Sequence, residues 1–238
     1  MNVSHRYKLI WWAPGRCASR FTSRILSPLQ FYNYDEEYPT KLGPYFDLLH
    51  EDDTPDLPMG TFSHKLIIPS NVDSSDYKII ANVRNPYDVF YSNYRLESIE
   101  HLRGILKKNP TESDIQVSFE DWVKIEMDFY YNNIEQIKDA WDIYNLQKKS
   151  DIDYLIRYEY LHDDIVSVPL ISELYNSNEV YNQLVNSILE HPTEYRRGLP
   201  HINQTFRDVF TEEMANYVYE RYKYQFDEFG YDKDSWKK

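Results

Sequence analysis

The sequence predicts an α/β architecture, with helices on both faces of a mostly parallel central sheet in three layers. Three observations predict it. Short apolar runs alternate with amphipathic stretches of helical period. The run YKIIANV is apolar almost throughout, as a strand buried on both faces must be. No repeat, low-complexity segment or linker divides the chain. With 238 residues and 42% hydrophobic side chains, a full core can be buried, and one domain over residues 1–238 is expected.

The elements follow in order. YKLIWW, residues 7–12, is a short apolar run halted by Pro14-Gly15, which predicts a buried strand. SRFTSRILSPLQF then reads as a helix, with Phe21, Ile25 and Leu29 on one face and Pro28 near its end. Residues 32–60 carry Pro39, Pro44, Pro55 and Pro58 among acidic runs and predict loops with at most short helices. GTFSHKLIIP gives a second strand, stopped by Pro69, and YKIIANV gives a third. A helix follows with Asn85 as N-cap and Pro86 at its first position. Ser118 and Asp121 form a capping box that opens one or two more helices. Tyr154 to Arg157 is the fourth strand, followed by helices around 162–174 and 178–189. Residues 190–210 read as irregular. Thr211 caps a last helix that stops at Gly230.

Composition narrows the function. Cys17 is the single cysteine, which excludes an internal disulfide and any cysteine-based zinc cluster. The opening MNVSHRYKLIWW passes straight into a strand pattern, and no apolar stretch approaches membrane-spanning length, so a soluble cytoplasmic protein is expected, with no membrane partner. The net charge of −13 argues against nucleic acid as a partner. Yet no acidic residue precedes Asp35, while Arg6, Lys8, Arg16, Arg20 and Arg24 do, which points to a segment reserved for an anion.

Ligands of parallel α/β sheets bind beyond the carboxyl ends of the strands, and two of these ends are basic. In the first, APGRCASRF, the backbone amides of Cys17 to Phe21 open a helix, a ready anion site. The second is Arg84, with Ser92 eight residues on. Two such corners on one sheet edge suggest one ligand with two anionic ends. A nucleotide-triphosphate loop, G-x-x-x-x-G-K-[ST], is not satisfied: counted from Gly15, Arg20 and Phe21 stand where Gly and Lys are needed, and only Thr22 fits. A tyrosine phosphatase needs Arg six residues after its cysteine, and that residue is Ser23.

With these residues in place, the chain resembles the sulfotransferases that use 3'-phosphoadenosine 5'-phosphosulfate (PAPS), and is closer to their carbohydrate-modifying branch. That family has a P-loop-NTPase-like fold. Its donor loop is P-K-x-G-T-T-W, to which GRCASRF is similar: Arg16 stands for the lysine, Ala18 for the glycine, Ser19 and Arg20 for the threonines, and Phe21 for the aromatic near the adenine. RNPYDVFYS matches the Arg and Ser that hold the 3'-phosphate, here Arg84 and Ser92. FSHKLIIP resembles the strand carrying the catalytic base, placing it at His64 with Lys65 beside it. IRYEYL places Tyr158 against the adenine, and Arg196, Arg197 and Gly198 resemble a late 3'-phosphate element, although no GDWK follows them. LPHINQTFRDVFTEEM and the late FGY carry the likeness to the carbohydrate branch.

The resemblance implies in-line transfer of a sulfuryl group from PAPS to an acceptor hydroxyl, a saccharide favoured, leaving adenosine 3',5'-bisphosphate and needing no metal. His64 takes the proton, Arg16 holds the leaving oxygen, and Lys65 and Arg20 face the sulfuryl oxygens. Arg84 has a local alternative in a salt bridge to Asp88. Two other readings stand beside this one: a degenerate P-loop nucleotide-dependent kinase, and a non-catalytic nucleotide-binding scaffold.

Overall fold

The computed structural model describes residues 2–12, 14–33, 40–42, 45, 47–49, 59–60, 75–106, 118–132, 149–190 and 205–237. Two compact units divide the chain: Met1–Val83 with Ser150–Tyr195, and Arg84–Lys149 with Arg196–Lys238.

The first unit is built on a seven-stranded sheet of order β5-β4-β3-β1-β2-β6-β7. These strands are β1 (Asn2–Ser4), β2 (Leu9–Trp12), β3 (Tyr32–Asn33), β4 (Thr40–Leu42), β5 (Met59–Gly60), β6 (Lys78–Val83) and β7 (Tyr154–Arg157). β2, β6 and β7 run parallel as neighbours, with Trp12 opposite Ala81 and Val83 opposite Arg157. β4 and β5 are also parallel, whereas β1 pairs antiparallel with both β2 and β3, and β3 with β4. The sheet is therefore mixed, and its parallel part lies where the sequence places its longest apolar strand.

Residues 32–60, expected as loops with at most short helices, contribute β3, β4 and β5. Strands of two or three residues hold too few side chains to show a period. β2 begins at Leu9, because Lys8 has φ 54° and breaks the extended run. Of the strand expected in GTFSHKLIIP only Gly60, the end of β5, is described; the rest lies outside the described residues.

Helix α1 (Ser19–Leu26) lays Phe21 and Ile25 into an apolar layer with Leu9, Trp11, Ile80 and Ile156. It continues as a 3-10 turn, Ser27–Leu29, forced by Pro28 and closed by Gln30 at φ 53°. Beyond β7 lie α4 (Leu161–Ser167), α5 (Pro169–Ser177) and α6 (Glu179–Glu190). The single helix expected at 162–174 is broken at Val168, whose extended backbone is what a residue before proline prefers. The buried Tyr181 hydroxyl of α6 donates to the Ile25 carbonyl at 3.0 Å, fixing α6 to α1.

The second unit is helical, with α2 (Pro86–Leu106), α3 (Phe119–Asn132), α7 (Phe206–Val209), α8 (Glu212–Arg221) and α9 (Lys223–Phe229). Asn85 caps α2, its Oδ1 accepting from the Tyr87 amide at 3.0 Å. Ser118 Oγ accepts from the Asp121 amide at 3.1 Å at the start of α3. Thr205 and Asp208 form a capping box for α7, a turn of helix in a stretch expected to be irregular. The last helix is capped by Thr211 and ends at left-handed Gly230 as expected, but breaks at Tyr222. The core is aromatic: Tyr87, Phe90, Phe119, Phe210, Tyr217 and Phe226 are buried together. Among the described residues no helix is long and apolar enough to cross a membrane.

Candidate functional site

β2 delivers the chain into a tight loop. The Cys17 amide donates to the Pro14 carbonyl at 3.3 Å, closing a turn over Pro14–Cys17. Arg16 and Ala18 both adopt left-handed backbone, φ 68° and 59°, with Cys17 between them at negative φ. Alternation of this kind turns successive N–H groups towards one side, the geometry of an anion-binding nest. For residues with a Cβ, left-handed backbone costs roughly 1–2 kcal/mol each, so the loop holds a conformation that its own sequence resists. Strain of this sort gathers at ligand-binding loops.

α1 starts directly from this turn. Its N-cap, Ala18, has no side chain that can accept a hydrogen bond, and no acid lies in the first turn. The Phe21 and Thr22 amides both donate to the Ala18 carbonyl at 3.0 Å. The first amides of a helix find no carbonyl within it; in α1 these belong to Ser19 and Arg20. An end with a positive dipole and neither cap nor acid favours an anionic ligand. Gly15 is exposed and Arg16 and Arg20 are half-buried, whereas Cys17 and Ser19 are buried. The Phe21 ring, 7% exposed, is committed to the core rather than offered to an adenine.

The position where the resembled loop carries glycine, Ala18, is one where glycine is conformationally favoured. Ala18→Gly is accordingly expected to raise the stability of the free protein by roughly 0.5–1 kcal/mol, relief of the left-handed backbone exceeding the entropy added to the unfolded chain. Thermal melting of the two proteins measures it.

A buried polar relay ties this loop to the sheet. Trp11 Nε1 donates to Asn82 Oδ1 at 2.7 Å, and Asn82 Nδ2 donates to Thr22 Oγ1 at 2.8 Å. All three residues are fully buried. Sequence reasoning overlooked this relay, although an asparagine inside YKIIANV was a visible signal, since a buried amide must find partners.

β6 leaves the sheet at the same edge as β2, and Arg84 follows Val83 directly. Arg84 Nε donates to Asp88 Oδ2 at 2.7 Å, with the arginine side chain 14% exposed, so the local salt bridge that the sequence allowed is formed. Ser92, one turn beyond Asp88 on α2, is half-buried. β7 ends at the same edge on a third arginine, Arg157. Its fork grips Asp164 through Nε–Oδ2 at 2.8 Å and Nη2–Oδ1 at 2.7 Å, while its own amide donates to the same carboxylate. The guanidinium also lies 4.5 Å from the centre of the Tyr160 ring. Arg157 is thereby spent on structure. Tyr158, half-buried, opens the 3-10 turn Tyr158–Tyr160.

The structure thus gathers Gly15 to Phe21 into one strand-to-helix turn, with Arg84 just before α2 and Ser92 within it. His64, Lys65, Arg196, Arg197 and Gly198 lie outside the described residues. No curated protein matches the chain. A family model described as the sulfotransferase family matches residues 1–232, and the chain therefore belongs to a sulfotransferase family, whose general chemistry is sulfuryl transfer.

Proposed function

We propose that the protein moves the sulfuryl group of PAPS to an acceptor hydroxyl, with a saccharide as the favoured acceptor. The observation that carries this reading is the Pro14–Phe21 turn. A strained, alternating backbone runs into an uncapped helix end, in a segment whose side chains include arginines and no acid. The amides at the start of α1 and the Ser19 hydroxyl would hold the 5'-phosphosulfate, while Arg84 and Ser92, with Arg196, Arg197 and Gly198, would hold the 3'-phosphate. With Phe21 in the core, the adenine platform falls to Tyr158.

In the transfer, the acceptor oxygen attacks sulfur opposite the bond to the 5'-phosphate. The new O–S bond forms as that S–O bond breaks, and the electron pair leaves on the phosphate oxygen of adenosine 3',5'-bisphosphate. His64 takes the acceptor proton, since an imidazole titrates near the working pH. The Arg16 guanidinium meets the charge that builds on the leaving oxygen, and Arg20 and Lys65 face the sulfuryl oxygens. Placement and fixed positive charge supply the rate, as in phosphoryl transfer.

A kinase of P-loop type fits this loop less well. There the Ser/Thr hydroxyl of the motif holds magnesium; here Thr22, the one motif residue present, is fully buried and bonded to Asn82.

The test is thermal melting with adenosine 3',5'-bisphosphate, PAPS, ATP with magnesium, and GTP. The two 3'-phosphorylated nucleotides are expected to raise the melting temperature, because a ligand held only by the native state stabilises by mass action, about 2.7 kcal/mol at a hundredfold excess over Kd. Stabilisation by magnesium ATP alone would overturn the proposal.

A further inference from the structure

We propose that Asn82 is the positioning residue of the donor loop, setting its shape from beneath through Trp11 and Thr22; the part of this that concerns the donor rests on the reading above. The loop leaves β2 after Trp12 and returns as α1 at Ser19. Trp11 lies one residue before its exit and Thr22 one turn after its return. Asn82, on the adjacent parallel strand, bonds both side chains, donating to the hydroxyl and accepting from the indole. It therefore joins the two ends of the loop by one amide.

Around it the layer between sheet and helix is apolar, formed by Leu9, Trp11, Phe21, Ile25, Ile80 and Ile156. Apolar contact is non-directional and lets a helix slide or rotate by fractions of an ångström. Directional bonds between buried groups do not, since leaving one unmade is costly in a low-dielectric interior. Thr22 passes this constraint to the nest itself: its amide bonds the carbonyl of Ala18, the left-handed residue at the N-cap. The relay thus reaches the strained backbone in two steps, and opposes its relaxation to ordinary right-handed geometry. A charge-stabilising site needs its amides held within about 0.5 Å, which supporting bonds of this kind provide.

Cys17, the only cysteine of the chain, gives a probe of loop shape that needs no nucleotide. It lies between the two left-handed residues and is 5% exposed, with Sγ 3.6 Å from the Gly15 carbonyl. Its alkylation by iodoacetamide requires the loop to open, so the rate reports the open population. In the full chain, Thr22→Val and Asn82→Leu are expected to speed this alkylation about tenfold, the equivalent of one buried hydrogen bond of roughly 1.4 kcal/mol. Thr22→Ser, which keeps the hydroxyl, should stay within about threefold of the parent. Calorimetric affinity for adenosine 3',5'-bisphosphate should weaken in the same order.

Should Thr22→Val merely lower the melting temperature, leaving alkylation and nucleotide affinity as in the parent, the relay is ordinary core packing and the assignment fails. The comparison of Val with Ser at position 22 decides this even if Asn82→Leu does not fold. If the parent binds no bisphosphate while the alkylation order holds, the loop-setting role stands and the sulfuryl-donor reading falls instead.

Discussion

Replacing His64 with alanine is expected to lower kcat by roughly 10²–10⁴-fold, the contribution of a positioned general base, while the affinity for adenosine 3',5'-bisphosphate remains that of the parent. The separation follows from the chemistry. On the proposed reading, the donor would be gripped by its phosphates and would carry no proton that must move; the acceptor hydroxyl would. A base near the acceptor is therefore absent from donor binding and present in the transition state, which is the pattern of a loss in kcat and kcat/KM together. The pH profile gives a second reading of the same variant. Because a protonated ring cannot accept a proton, the parent's kcat/KM should fall on the acid side of its pH profile. In His64→Ala that acid limb should vanish and the residual rate should climb with hydroxide. Steady-state assays with labelled PAPS across pH measure both. An undiminished kcat would remove His64 from the reaction, and undiminished binding of a donor that is never turned over by either protein would favour the scaffold reading.

Much of the frame behind these roles was legible in the sequence, for identifiable reasons. YKIIANV read as a strand because a strand buried on both faces has no polar side to interrupt it, IDYLIR because of its short apolar run, and they became β6 and β7. β1 was not legible. Two of its three residues, Asn2 and Ser4, are polar yet fully buried, because Asn2 donates to the Trp11 carbonyl at 3.1 Å and Ser4 to that of Leu29. Hydrophobic patterning cannot see a strand whose burial is compensated by hydrogen bonds formed far along the chain. The break at Tyr222 escaped notice for the opposite reason: no proline or glycine marks it, and the aromatic core on both sides reads as one continuous helical stripe.

The candidate loop shows the same division. Its position after a strand and before a helix, and its freedom from acids, were on the surface of the sequence. Its backbone was not. Left-handed residues are ordinarily announced by glycine, and here Arg16 and Ala18 fill those places. Nor did the pattern reveal that Arg157, at the carboxyl end of β7, is paired with a carboxylate seven residues ahead. Whether a cation serves a ligand or the fold is decided by its neighbours in space.

That distinction is sharpest at Arg84, and Arg84→Ala is expected to weaken binding of adenosine 3',5'-bisphosphate by roughly 10²-fold, the loss of one charged hydrogen-bonding group worth about 1.5–3 kcal/mol. Binding of adenosine 5'-phosphate, which lacks the 3'-group, should scarcely change. The fold should tolerate the substitution. The bond to Asp88 joins residues four apart at the start of α2, with side chains 14% and 22% exposed, so its loss costs more than the ~0.3–0.5 kcal/mol of a fully exposed pair. Asp88 also lies in the first turn of α2, where the helix dipole favours a carboxylate even without its partner. The Asp88 bond is made by Nε. Arg84→Lys should recover little, because an ammonium keeps the charge but not the fork. If Arg84→Ala and Asp88→Ala instead lower the melting temperature equally and leave both nucleotides bound as before, Arg84 is a helix brace alone. On the proposed reading a 3'-phosphate would then be held elsewhere, and the eight-residue spacing of Arg84 and Ser92 would lose its meaning as a binding motif.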